Sequence, residues 1–130
     1  MDTAGTMTPA QVEEYVSKMV RRVTIPVAFH GHNNLGLSVA NAMAAQKAGA
    51  EILDCGLMGM ARSAGNCATE LAAAVFEREG ALDGIDLMKL LHFIDDKLEP
   101  AMEEYGYHVP VKPLDLVYGI SGCHSFRLYT

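Results

Sequence analysis

The sequence has no tryptophan, and its ten Lys and Arg are outnumbered by sixteen Asp and Glu, for a net charge of −6. Those basic residues are scattered, Arg21-Arg22 being the one adjacent pair, and no aromatic side chains interleave with them. This excludes the basic, aromatic-studded stripe with which proteins hold nucleic acid. Long apolar runs are missing too: each is broken well short of a bilayer span, which excludes membrane insertion. The N-terminus has no basic stretch followed by an apolar segment, so no secretory signal is expected. Cysteine is sparse and odd in number, and the wide separation of Cys55, Cys67 and Cys123 suits reduced thiols in a cytoplasmic protein better than a disulfide framework or a zinc clasp.

What is present is a regular alternation of helical and strand periods. Half of the residues are apolar, enough for a core in a chain of ordinary single-domain size. Thr8 reads as an N-cap, Pro9 as the first helical residue and Gln11 as the return half of a capping box. Val12, Tyr15, Val16, Met19 and Val20 then mark one apolar face. Residues 25–29 are apolar without alternation, as in a strand covered on both faces, and residues 35–48 resume helical spacing until Gly49. A second strand is expected over residues 51–55, a loop punctuated by Gly56, Gly59 and Gly65, and a helix over residues 67–79. Helices between successive strands imply parallel pairing through right-handed crossovers. A further helix from Asp83 or Asp86 carries Leu87, Leu90, Leu91, Ile94 and Leu98, with Pro100 marking a bend and Gly106 an end. No internal repeat is visible.

The chemistry concentrates in His30-Gly31-His32, at the carboxyl end of the first apolar run. Alternate strand residues point the same way, so the two imidazoles stand roughly 6 to 7 Å apart at Cβ, close enough to share one metal ion. Polar Asn33-Asn34 and a helix follow at once, the strand-loop-helix setting in which α/β enzymes keep their chemistry. Two apolar parallel strands cannot satisfy their outer edges or bury both faces, so the chain reads as an incomplete fold. Residues 1–5 read as the tail of another strand and its loop.

Three motifs in order carry a resemblance: Asp2-Thr3-Ala4-Gly5, then Phe29-His30-Gly31-His32-Asn33-Asn34-Leu35-Gly36, then Gly65-Asn66-Cys67-Ala68-Thr69-Glu70. They resemble the later motifs of the metal-dependent aldolase-lyase superfamily of 3-hydroxy-3-methylglutaryl-CoA lyase and 2-isopropylmalate synthase, nearest to its 4-hydroxy-2-oxovalerate aldolase branch. The resemblance implies an α/β fold, the end of strand six through helix eight of a (β/α)8 TIM barrel over residues 1–82. Residues 83–130 would add a flanking helix and the start of a helical region that contacts a partner aldehyde dehydrogenase. It implies retro-aldol cleavage of a 4-hydroxy-2-oxo acid to pyruvate and an aldehyde, with Mn²⁺ or Mg²⁺ drawing charge from the 2-keto group. His30, His32 and Asn66 are then metal ligands, and Thr3 contacts the substrate. His124 occupies the place of a proton-donating tyrosine in Gly122-Cys123-His124-Ser125-Phe126; imidazole moves protons near neutral pH.

Departures from the pattern are as informative. The family's first strand carries an Arg-Asp-Gly segment whose aspartate is a metal ligand and whose arginine stabilises the enolate, and this sequence has none. The ending Phe126-Arg127-Leu128-Tyr129-Thr130 abandons the helical pattern, as a truncation or frameshift would. The chain alone is therefore expected to be inert and to bind metal weakly, since no carboxylate offsets the ion's charge. Unsatisfied strand edges point to a homo-oligomer. Two other readings stay open: an acyl-CoA lyase or acyltransferase of the same superfamily, and a non-catalytic association subunit. Plainer roles compete residue by residue. Asn66 also suits an N-cap or turn, Thr3 a loop hydroxyl, His92 a partly buried core position, His108 a surface one, and Asp95-Asp96 with Glu103-Glu104 solvated helix faces.

Overall fold

A computed structural model describes residues 2–108. His124 and the surrounding segment, Cys123 included, lie outside the described residues.

Helix α1 runs Pro9–Val20. Its start is set as the sequence predicts: the Gln11 side-chain oxygen accepts from the Thr8 N–H at 2.9 Å and the Thr8 hydroxyl at 3.1 Å. Val12 and Val16 are buried, whereas Tyr15 and Met19, at the margin of the apolar face, stay exposed. Strand β1 (Ala28–His30) is shorter than the apolar run before it, and Ile25 is 70% exposed. Helix α2 (Ser38–Lys47) starts three residues later than its periodicity suggests. The Asn33 carboxamide oxygen accepts from both the Ser38 N–H and hydroxyl, at 3.2 and 2.8 Å, holding the preceding turn out of the helix. Strand β2 (Ile52–Asp54) pairs parallel with β1, Ala28 opposite Ile52, Phe29 opposite Leu53 and His30 opposite Asp54.

That register corrects one expectation. Phe29 points into a core with Val12, Val16, Ala44, Ala45 and Ala50, with Leu53 packed beside it. On the other face Ala28, Ile52 and Asp54 are exposed and His30 half-buried. Among the described residues the strands are covered on one face only: α1 and α2 pack against Phe29, and the Thr69–Arg78 helix meets Leu53 through Ala72 and Phe76. A third segment touches the sheet at Asp2, which bridges Gly31 in parallel: Asp2 N–H donates to His30 O at 2.8 Å, and His32 N–H to Asp2 O at 3.1 Å.

Helix α3 is Thr69–Arg78, two residues shorter at its start than the sequence suggests, and it buries Ala72, Ala73 and Phe76. Asp86 caps α4 (Leu87–Phe93) by accepting the Lys89 N–H at 3.0 Å. The chain then makes one wide, π-type turn over Ile94–Leu98 before α5 (Glu99–Glu104). Pro100 has no N–H to return to the preceding turn, and the wider turn absorbs that loss. Docking of this arm is slighter than its pattern suggests: Ile94 and Met102 are buried, Met88, Leu91 and Phe93 exposed. His92 is exposed as well, not partly buried as expected, because α4 turns it away from Ile94. Among the described residues, no helix is long and apolar enough to cross a membrane.

Candidate metal and substrate site

At the carboxyl end of β1 the backbone continues past the sheet and meets the segment before α3. Asn33 N–H donates to Gly65 O at 2.9 Å and Cys67 N–H to Gly31 O at 3.1 Å, so His32 and Asn66 sit directly opposite in an antiparallel bridge. Cys67 is therefore extended, and the N-cap of α3 is Ala68. The alternative of Asn66 as a helix cap falls with that geometry.

His30 and His32 are one alternation apart, and their rings lie 5.2 Å between centroids at 70° to each other. His32 is 5% exposed. Asp54 faces His30 across the strand pair, and its carboxylate oxygen lies 2.9 Å from His30 Nδ1. A carboxylate on Nδ1 fixes the proton there and leaves Nε2 as the donor atom, the usual outer partner of a ligating imidazole. The Asn66 Oδ1 atom is buried without a hydrogen-bond partner. A buried amide oxygen left unpaired costs about 1 to 3 kcal/mol, so its presence calls for a group to accept. Two imidazoles and an orphaned amide oxygen are neutral donors that fit a divalent cation in part. Among the described residues, no cluster of three or more His, Cys, Asp or Glu supplies a complete set.

The loop between β2 and α3 is held in a strained shape over this site. Met58 and Ser63 adopt positive φ, 51° and 61°. Glu70 accepts the Met58 N–H at 2.9 Å, and the Ser63 hydroxyl accepts the Asn34 amide at 2.6 Å. Gly65 is obligatory: at φ 85° a Cβ there would stand 2.4 Å from Gly59 O. Gly31 is less tightly constrained: a Cβ would meet the edge of the Phe29 ring at 2.9 Å, so a side chain there requires that ring to shift. Such strain clusters at sites whose geometry matters more than their stability.

Thr3 lies in the Asp2-to-Gly5 turn, one residue beyond the bridge to Gly31, and is half-buried. The Asp2 carboxylate fixes that loop by accepting the Thr6 and Met7 N–H groups at 3.0 and 3.1 Å. The thiols of Cys55 and Cys67, twelve positions apart in the sequence, are brought together: Cys67 hydrogen-bonds Cys55, which holds the Cys55 thiol below its ordinary pKa. The same bond, with burial, pushes Cys67 well up. Sequence reasoning missed Asp54 and Glu70. Asp54 had a readable signal, since each strand ends on a polar residue and in-register pairing sets them face to face. Glu70 had none, because its partner is a backbone amide in an irregular loop.

Residues 1–96 match the family model described as HMGL-like. The chain is 42% identical over 125 residues to a 4-hydroxy-2-oxovalerate aldolase of Desulfitobacterium hafniense, covering 96% of this chain and 37% of that protein. It is 36% identical over 129 residues to an oxaloacetate decarboxylase of Mycobacterium tuberculosis, covering 98% and 37%. Among solved structures, the HMG-CoA lyase of Bacillus subtilis superposes with a TM-score of 0.71 at 27% identity, over 89% of this chain and 40% of that one. The chain thus spans little more than a third of the length of these curated relatives. The match over most of its residues makes this chain a member of the HMGL-like family.

Proposed function

We propose that this chain carries the two-histidine part of a divalent-metal site in a pyruvate-forming aldolase. It would cleave a 4-hydroxy-2-oxo acid, 4-hydroxy-2-oxovalerate giving pyruvate and acetaldehyde. In this reading residues 1–82 correspond to the end of strand six through helix eight of a (β/α)8 barrel. Residues 83–130 begin a helical region that meets an aldehyde dehydrogenase, in a cytoplasmic homo-oligomer. The observation that carries the reading is the convergence of His30, His32 and the unpartnered Asn66 Oδ1 on one strand end. The open face bearing His30, Ala28, Ile52 and Asp54 supports it, since a barrel strand presents alternate residues to the lumen.

Each side chain has a stated task. His30, with Nδ1 engaged by Asp54, offers Nε2; His32 offers a second imidazole and Asn66 an uncharged oxygen. Bound Mn²⁺ or Mg²⁺ supplies Lewis acidity toward the 2-keto oxygen of the substrate. Thr3 holds the substrate through its hydroxyl, and His124 returns a proton to the enolate carbon of pyruvate. Without an Arg-Asp-Gly segment the chain lacks a charge-neutralising ligand and is inert alone.

The similarity to an oxaloacetate decarboxylase favours a second reading in the same chemistry. Loss of carbon dioxide from oxaloacetate and retro-aldol cleavage both leave the enolate of pyruvate, so the same residues serve either reaction. Calorimetry with Mn²⁺ tests the site: weak binding in the wild type and none in His32→Ala is expected, and binding unchanged in the variant overturns it. Adding the N-terminal part of the Desulfitobacterium aldolase then separates the reactions. Pyruvate release from 4-hydroxy-2-oxovalerate is expected, and release from oxaloacetate alone favours the decarboxylase.

A further inference from the structure

Cys55 and Cys67 occupy neighbouring register positions on two segments that run parallel. Gly56 N–H donates to Cys67 O and Thr69 N–H to Gly56 O, both at 2.9 Å, which pairs Gly56 with Ala68. Each cysteine precedes its partner in that pair by one residue, so alternation sends both side chains to the same side. Segments paired in this way lie about 4.8 Å apart, inside the roughly 4.4 to 6.8 Å between Cα atoms that a disulfide spans. Both sulfurs belong to one apolar cluster with Ala42, Ala72 and Phe76. Their surroundings differ. Cys67 is 1% exposed, whereas Cys55 is half-buried and lines a cleft of about 380 Å³ with Leu53, Thr69, Ala73 and Leu82.

We propose that Cys55 and Cys67 form a reversible modification site for small hydroperoxides, which Cys67 closes as an intrachain disulfide. A peroxide enters the cleft and the Cys55 sulfur attacks one of its oxygens. The O–O bond breaks, the displaced oxygen leaves with the Cys55 proton, as water from hydrogen peroxide and as an alcohol from an organic hydroperoxide, and Cys55 becomes a sulfenic acid. The Cys67 sulfur then attacks the Cys55 sulfur, forming S–S while S–O breaks, and the hydroxyl leaves as water with the Cys67 proton. Two thiols lose two electrons and two protons, and hydrogen peroxide is reduced to two waters. The bridge spans the segment that bears Asn66, and Cys67 is also the residue whose N–H holds Gly31 between the two histidines. Oxidation therefore locks the loop on which the metal-site reading depends. The dithiol itself stands whether or not that reading does.

Peptide mapping tests this on the full chain, because trypsin cleaves after Arg62, between the two cysteines. After hydrogen peroxide and alkylation of the remaining thiols, peptides 48–62 and 63–78 are expected as one covalently joined species. Its mass falls by about 2 Da relative to the two free peptides, and dithiothreitol separates it. In Cys67→Ser the joined species disappears and Cys55 runs on to sulfinic acid, a gain of about 32 Da. Stable sulfinic acid on Cys55 in the wild type overturns the proposal. So do two thiols still fully alkylatable after peroxide, or a linkage that runs through Cys123.

Discussion

The two faces of the strand pair are made from alternate residues of the same six positions and have opposite characters. On the helix side, Phe29 and Leu53 join Val12, Val16 and three small alanines in an apolar cluster. On the other side, His30 and Asp54 are joined by a hydrogen bond beside exposed Ala28 and Ile52. A strand's period of two lets adjacent residues serve stability and chemistry independently. Between the two histidines, the missing side chain of Gly31 leaves room for the Phe29 ring, whose edge a Cβ there would meet at 2.9 Å.

The largest effect belongs on the covered face. Phe29→Ala removes the one aromatic side chain of that cluster among the described residues and should cost about 3 to 5 kcal/mol in urea unfolding; a loss below about 1 kcal/mol would show that the cluster does not hold the sheet. On the open face the order reverses. His30→Ala should leave the unfolding midpoint nearly unchanged while lowering Mn²⁺ affinity by more than the roughly 100-fold upper limit for an outer partner. Asp54→Asn keeps the shape and should lower that affinity about 10-fold, with little change in stability because the side chain is 61% exposed. Equal losses in the two variants would make Asp54 a ligand and not a positioning residue.

The smallest effect lies outside both faces. Asp86 caps α4, and the Lys89 N–H donating to it holds its carboxyl below the ordinary value. A depressed folded pKa contributes stability above the unfolded value and loses it as pH falls through the folded one. Thermal melts of Asp86→Ala and wild type should therefore differ slightly at pH 7 and converge in strong acid.

Much of the covered face was legible. The capping residues Thr8, Pro9 and Gln11, the buried Val12 and Val16, and the parallel order all follow from local periodicity. The alternation of the strands was not, because residues 25–29 are apolar throughout and only the one-sided placement of the helices decides which of them meets water. At the site, the proximity of His30 and His32 follows from strand geometry alone. Pairing of Asn66 with His32 does not, since it depends on a loop whose positive-φ turns at Met58 and Ser63 no propensity announces. The contact between Cys55 and Cys67 was hidden for the same reason: their spacing in sequence says nothing about which segments run side by side.

Proton NMR during a Mn²⁺ titration addresses the central claim most directly, because the chain contains its own controls. Substoichiometric Mn²⁺ should broaden the ring signals of His30 and His32 and the side-chain amide of Asn66, while the exposed His92 and His108 stay sharp. Broadening of His92 and His108 ahead of the other two, or an Asn66 amide that stays sharp at saturation, would contradict a shared cation at the end of β1.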